Sequence, residues 1–289
     1  MAPLPDLSIR QLEYLVAVAE EPSWALAAER VGVSPSALSQ GLAELERRVG
    51  VPLFERDGRR RHIRNSVAPV VNHARQVLGL TGDLADWADR LRHGREGRLR
   101  LGMIDAAAVG HHSDVLRNFR GEHPDVDLRL RVAPSAALLD LLVAGDLDLV
   151  VCVEPTSPVA GIGTEPLLVE DLAVYAPPGV EMGEPSTWGP WVLFPAGSHT
   201  RSVVVDALAR LGAPLDVAAE SHQPDVLREM VRLGAGWTVL PTTQAELGDR
   251  PLATGRPLTT RRLVIATRRD SVRDPAVDRL ADRLRSATA

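Results

Sequence analysis

Lysine is absent from these 289 residues, cysteine occurs once, and aromatics are scarce, with three Phe, two Tyr and five Trp. A single thiol excludes an intramolecular disulfide framework, a multi-cysteine zinc site and a two-thiol redox switch within one chain. No stretch approaches the ~18 consecutive apolar residues of a membrane-spanning helix. The opening Met1-Ala2-Pro3-Leu4-Pro5-Asp6-Leu7 has no basic segment followed by an apolar core, so no secretory signal is expected and a cytoplasmic protein is. What is present is a globular balance, 45% hydrophobic and 25% charged. The length suits two or three domains at ~100–200 residues each. The net charge of -5 argues at first against nucleic acid, but it is unevenly placed. Residues 1–97 carry 13 Arg against 13 acids, and residues 98–289 carry 20 Arg against 25 acids. The acidity therefore belongs to the C-terminal part. Within the neutral part, residues 56–64 hold five Arg against one Asp.

The first fifty residues read as three capped helices. Ser8-Ile9-Arg10-Gln11 has the form of a capping box, followed by Leu12, Leu15, Val16 and Ala19 on one helical face. Pro22 ends that helix, Ser23 can cap the next, and Trp24, Ala27, Ala28 and Val31 repeat the spacing before Gly32. Ser34 can cap a third helix with Pro35 at its first position. Leu38, Leu42, Leu45 and Val49 form its buried stripe. That stripe turns Ser36, Ser39, Gln40, Ala43 and Arg47 the other way, where they can enter a major groove. Leu53 to Arg56, Asp57-Gly58 and Arg60 to Arg64 then read as strand, turn and strand. Such a hairpin makes a basic wing in which Arg56, Arg59, Arg60, Arg61 and Arg64 can meet phosphates. Two helices joined by a Gly-containing turn form a helix-turn-helix. The same residues also suit a three-helix subdomain with a solvated loop.

Arg10-Gln11-Leu12-Glu13-Tyr14-Leu15-Val16-Ala17-Val18-Ala19-Glu20 closely resembles the opening of LysR-type transcriptional regulators. So do Ala27-Ala28-Glu29-Arg30, Val33-Ser34, Ala37-Leu38-Ser39, Leu45-Glu46 and Gly50-Val51-Pro52-Leu53-Phe54-Glu55-Arg56, in the same order and spacing. The resemblance implies a winged helix-turn-helix that binds an interrupted inverted repeat of double-stranded DNA as a dimer. The sequence also departs from the family. Pro35-Ser36 stand where the family often has Gln-Pro, which shifts base recognition onto Ser36, Ser39 and Gln40. Gly41 occupies a usually larger position. Ile63-Arg64-Asn65-Ser66-Val67 replaces the usual Leu-Thr-Glu-Ala-Gly, leaving Ser66 as a substitute cap and Pro69 at the third helical position.

A long helix is predicted over Val67–Arg92. Val70, Val77, Leu84 and Leu91 recur every seven residues, with His73, Leu80 and Trp87 three positions on. This spacing suits a seam between two chains, or one helix packed on its own domain. The family uses this helix as a dimer linker, in dimers or tetramers. His93 to Gly97 reads as a hinge. Beyond it, apolar strands at 99–104, 126–132, 147–153, 172–176, 191–194, 217–219, 237–240 and 263–266 alternate with helices, which implies an α/β sandwich.

The expected architecture is α/β overall. A winged helix-turn-helix occupies 1–65, a linker helix and hinge 66–94, and a two-lobed effector-binding domain 95–289. Lobe I covers about 95–163 and 266–289, and lobe II about 164–265. This order resembles the family's effector domain, itself similar to periplasmic binding proteins, through His123-Pro124, Gly145-Asp146-Leu147-Asp148, Glu170-Asp171-Leu172, Gly234-Ala235-Gly236 and Leu240-Pro241. Ligands of open α/β sheets sit beyond strand carboxyl ends. The candidate effector residues are therefore Asp105, Ala106 and Ala107, Ser135 as a helix cap, and Ser198, His199 and Thr200. His222 can face the same cleft. Ser198, Thr200 and free helix amides suit a carboxylate, whereas Asp105 suits an amine or hydroxyl. His111 and His112 are expected to face solvent or packing partners, and Cys152 to be an inert core thiol. No GxSxG, HExxH, Walker or Rossmann fingerprint occurs, so neither catalysis, a metal nor a cofactor is expected. The rival reading is a small-molecule-binding module or an enzyme that uses the cleft without binding DNA.

Overall fold

The structure is a computed structural model and describes residues 6–57, 60–93, 97–246 and 250–288. These fall into two compact units. One comprises the residues up to 93 with the short pieces 143–146 and 270–272, and the other comprises the remainder.

In the first unit, α1 (Ile9–Glu20), α2 (Trp24–Arg30) and α3 (Pro35–Val49) precede a hairpin of β1 (Phe54–Asp57) and β2 (Arg60–Ile63). The caps work as the sequence implies. Ser8 Oγ accepts from the Gln11 amide while Gln11 Oε1 accepts from the Ser8 amide. Ser23 accepts from the Leu26 amide and Ser34 from the Ala37 amide. Gly32 and Gly50 close α2 and α3 with φ of 68° and 77°, a region that favours glycine. Leu15, Leu38, Leu42, Leu45 and Leu53 are fully buried in one core, each contributing about 1.5–3 kcal/mol. Ala19, by contrast, is exposed, so the α1 face is Leu12, Leu15 and Val16. Gly41 has a reason to be small: a Cβ there would stand 2.7 Å from Cε2 of the buried Tyr14 ring.

Residues Asn65–Val67 form a 3-10 turn, and α4 (Ala68–His93) begins one residue later than expected. Pro69 is thus second rather than third in the helix, still within the turn that has no internal amide bond to lose. Ser66 belongs to the 3-10 turn. The predicted seam divides along the helix. Val70 and Val77 pack on the core of their own unit beside buried Val67, Val71 and Ala74. Leu80, Leu84, Trp87 and Leu91 remain exposed, Leu91 by 67%.

The second unit is built on a six-stranded sheet. In chain order its elements are β3 (Arg98–Met103), α5 (Ser113–Glu122), β4 (Asp127–Val132), α6 (Ser135–Ala144), β5 (Leu149–Val153) and β6 (Ile162–Tyr175). There follow β7 (Trp191–Leu193), α7 (His199–Arg210), β8 (Val217–Glu220), α8 (Pro224–Arg232), β9 (Thr238–Pro241), α9 (Thr242–Ala245), β10 (Arg256–Arg268) and α10 (Pro275–Ser286). The strand order is β4-β3-β5-β10-β6-β9, with β7-β8 as a separate parallel pair. β3 runs parallel to β4 and β5, while β10 is antiparallel to both β5 and β6. Buried Leu149 to Val153 confirms the apolar run as an interior strand.

Three features differ from expectation. β6 and β10 are long, and the anticipated lobe limits at 163/164 and 265/266 fall inside them. β4 is an edge strand whose Leu130 and Val132 are both exposed, so its apolar alternation does not mark a buried face. The helix after β3 is broken: Ala106–His111 is a π-helical turn, and α5 starts at Ser113.

Candidate nucleic-acid interface and ligand cavity

The N-terminal turn of α3 presents Ser34, Pro35, Ser36 and Gln40 to solvent, with Ser39 half-buried. Ser34 Oγ caps the helix and lies 3.0 Å from Ser36 Oγ, so these two hydroxyls form one short polar ridge. Arg47 is exposed, but Glu44 holds it in a fork, with Nε 2.9 Å from Oε2. Hydrogen bonds from Arg47 and Arg48 keep the Glu44 carboxyl below its ordinary range, so Arg47 reaches a phosphate only by exchanging one anion for another. At the other end of α3, Glu46 accepts from the Leu53 and Phe54 amides and ties the helix to β1. The hairpin pairs Phe54 with Ile63 through Asp57 with Arg60, as the wing requires. Arg64 follows it, its Nε 3.5 Å from Glu55. Arg59 and the side chains of Arg56, Arg60 and Arg61 lie outside the described residues. Behind these elements Glu20 bonds both Arg30 of α2 (2.8 Å) and Arg75 of α4 (3.0 Å), joining three helices around one carboxylate.

In the second unit, a cavity of about 520 Å³ collects the carboxyl ends of β3, β4, β5, β7 and β8. Its lining includes Asp105, Ala106, Ser135, Ser198, His199, Thr200 and His222, seven of the eight residues expected from sequence. Ala107 does not line it and is fully buried, because the π-helical turn redirects the residues after Ala106.

The expected roles of the hydroxyls change. Ser135 does not cap α6: it is the first residue of that helix, and its Oγ accepts from the Val153 amide at 3.2 Å. Ser198 takes the cap position of α7 by backbone but makes no side-chain cap bond. Thr200 Oγ1 accepts from Arg261 Nη1 at 2.8 Å, and His199 Nδ1 lies 3.2 Å from the Val153 carbonyl.

Lining residues that were not anticipated include Phe194, Pro224, Gln244 and Arg261. Arg261 on β10 is paired across the sheet with Glu170 on β6, and its Nε donates to Glu170 Oε2 at 2.6 Å. Both side chains are buried. The other Glu170 oxygen lies 2.7 Å from His111 Nε2. Burial raises the Glu170 pKa, but His111 and Arg261 outweigh it and leave the carboxyl below its ordinary value. His111 therefore faces a packing partner rather than solvent. His112 is wholly buried, with neither ring nitrogen hydrogen-bonded. No local signal marked Arg261, since the run Leu263 to Ala266 is apolar at both strand parities.

At another part of the lining, Gln244 Nε2 donates to Asp105 Oδ1 at 3.2 Å. Burial, and then repulsion from Asp225, raise the Asp105 pKa. Among the described residues, no cavity serine is hydrogen-bonded to a histidine, so the lining holds no assembled nucleophile–base pair.

Residues 9–66 match the family described as "Bacterial regulatory helix-turn-helix protein, lysR family". Residues 92–289 match the "LysR substrate binding domain". A "Probable hydrogen peroxide-inducible genes activator" of Streptomyces viridosporus is 32% identical, over 97% of this chain and 94% of its own. The regulator IlvR of Caulobacter vibrioides is 28% identical, over 83% and 84%. Among solved structures, a full-length OxyR variant from Pseudomonas aeruginosa superimposes with a TM-score of 0.65 and 25% identity, covering 98% of this chain and 96% of that one. CbnR complexed with its target DNA gives 0.60 at 20% identity, over 97% and 100%.

Proposed function

This chain belongs to the LysR family of transcriptional regulators, and from that premise we propose how its own residues divide the work. The carrying observation is that one chain joins a winged helix-turn-helix to an α/β unit whose cavity gathers strand carboxyl ends. The assignment is 1–65 for DNA binding, 66–94 for linkage and 95–289 for effector binding. Ser36, Ser39 and Gln40 read base edges, while Arg47, Arg64 and the arginines at 56 and 59–61 hold phosphates. The exposed Leu80, Leu84, Trp87 and Leu91 of α4 cover their counterparts in a second copy, which sets the spacing of two half-sites. A small molecule in the 520 Å³ cavity biases the state of the regulator by binding one conformation better than another.

No helix of the described residues is long and apolar enough to cross a membrane. A cytoplasmic site of action follows from the DNA target. Ser135 and His199 spend polar atoms on the Val153 backbone rather than on each other, which favours binding over catalysis. The relative named as an activator of hydrogen peroxide-inducible genes does not lend this chain its chemistry. Cys152 is buried, and burial pushes its thiol up to about 12, whereas reaction with peroxide needs an accessible thiolate.

Electrophoretic shifts of DNA from upstream of the chain's own gene test the reading. A retarded, salt-sensitive complex that competitor DNA of unrelated sequence does not remove is expected. Absence of any such complex between 50 and about 200 mM salt, with or without candidate metabolites, overturns it.

A further inference from the structure

Two buried polar atoms of the cavity residues lack hydrogen-bond partners, and they have opposite character. Arg261 Nη2 is a cationic donor, and Gln244 Oε1 is an acceptor. Leaving such groups unpaired is costly, and a ligand that pairs them recovers that cost.

Arg261 is more than a stray charge. Its Nε is spent on Glu170 and its Nη1 on Thr200, in the first turn of α7. That helix is twelve residues long, and its cap residue Ser198 gives the first turn no side-chain acceptor. The free amides of α7 and the remaining guanidinium donor thus meet at one place. Glu170 holds the Nε edge of Arg261 across the β6–β10 pair. The group that fits the remaining Nη2 donor and the α7 amides is an acid.

Gln244 gives the other end its sign. Its amide nitrogen donates to Asp105, so the amide orientation is set and Oε1 is left as the acceptor. With the Asp105 carboxylate beside it, and one Nε2 hydrogen already spent on that carboxylate, this end offers mainly acceptors. Asp105 is also crowded by Asp225, and a bound cation relieves both. Ile104, Val132, Phe194 and Pro224 supply apolar wall for the rest of the ligand.

We infer that the cavity takes a small amphoteric ligand: an amino-carboxylate with a short apolar middle, its acid toward Arg261 and α7, its amine toward Asp105 and Gln244. Arg261 Nη2 is sealed from solvent, so seating the acid requires a side-chain-scale shift of the wall beside Thr200. This inference rests on the reading of the cavity as the effector site and adds the class of effector.

The test is isothermal titration of the full chain with aliphatic α- and ω-amino acids of two to six carbons. Each is compared with its deaminated acid and with its carboxamide. At least one amino acid should bind tenfold or more tightly than both of its counterparts. Asp105→Asn should remove the advantage over the deaminated acid. Arg261→Lys keeps a charge opposite Glu170 but loses the fork, and should remove the advantage over the carboxamide. If Arg261→Lys does not fold, Asp105→Asn alone still decides. The inference is overturned if a deaminated acid or carboxamide matches every amino acid, or if the whole set gives no heat of binding. A neutral metabolite that changes operator binding while the amino acids do nothing would sink the inference and leave the effector reading standing. Amino acids that bind without any effect on operator binding would do the reverse.

Discussion

A glycine in mid-helix ordinarily gives up about 1 kcal/mol against alanine, so Gly41 in α3 invites a simple repair. The structure argues that the repair fails. A methyl group at 41 meets the Tyr14 ring at 2.7–2.8 Å, and Tyr14 is buried in the same core. Overpacking of this kind costs typically 1–3 kcal/mol and outweighs the propensity gain. Gly41→Ala is expected to lower the unfolding free energy by about 1 kcal/mol, read from the urea midpoint of the DNA-binding unit. A stabilised variant would show that α1 and α3 have slack. At the same scale, burial of Cys152 predicts that the native protein does not react with a thiol reagent until it unfolds; labelling within seconds would contradict it. The caps at Ser8, Ser23 and Ser34 were legible because capping is local, set within four residues. Arg261 was not, because its partners are 91 residues away in Glu170 and 61 in Thr200. Nothing in a short window distinguishes it from its exposed neighbour Arg262.

At the scale of elements, periodicity told helix from strand but not which face would be covered. The α4 seam reads as one stripe in sequence, yet Val70 and Val77 serve their own unit while Leu80, Leu84, Trp87 and Leu91 are open. β4 alternates like a buried strand and is an exposed edge, since edge position is fixed by strand order and not by composition. The π-helical turn at Ala106–His111 was likewise invisible: one inserted residue per turn leaves no periodic mark in so short a segment. The open half of α4 yields a prediction. Leu84→Glu with Leu91→Glu should leave the fold of each unit intact, judged by circular dichroism, while shifting the mass in sedimentation toward the monomer. Operator affinity should fall by tenfold or more, because two half-sites then bind independently. An unchanged oligomer would remove α4 from the interface. The wing gives a second test. Arg60→Ala should weaken binding to all sequences alike and lower the salt slope by roughly 1, and an unchanged slope would exclude Arg60 from phosphate contact.

For the molecule as a whole, net charge is a poor guide until it is divided. The -5 belongs to residues 98–289, and the DNA-binding part is neutral, so its attraction to phosphate is local to the wing and the α3 face. Acid should affect the two units differently, because His112 and Glu170, both buried in the second unit, work in one direction. His112 is buried without a partner, and burial, then its neighbour His111, bring its pKa down to about 4. Unfolding restores an ordinary value near 6.5. Between those values the unfolded chain binds more protons than the folded one, so stability rises with pH across that window. The contribution is complete above 6.5, falls as pH drops and levels off below about 4. Glu170, held below its ordinary carboxylate value, adds stability that is present above 4.5 and is lost only at lower pH. The two therefore separate on the pH axis. From pH 7 to pH 5 the second unit should lose about 2 kcal/mol through His112 alone, followed by urea unfolding with the fluorescence of Trp188, Trp191 and Trp237. His112→Leu, which fills the site with an apolar group that does not titrate, should flatten that slope while leaving the steeper loss below pH 4.5. If the variant and the parent lose the same stability between pH 7 and pH 5, His112 is not the group that titrates there.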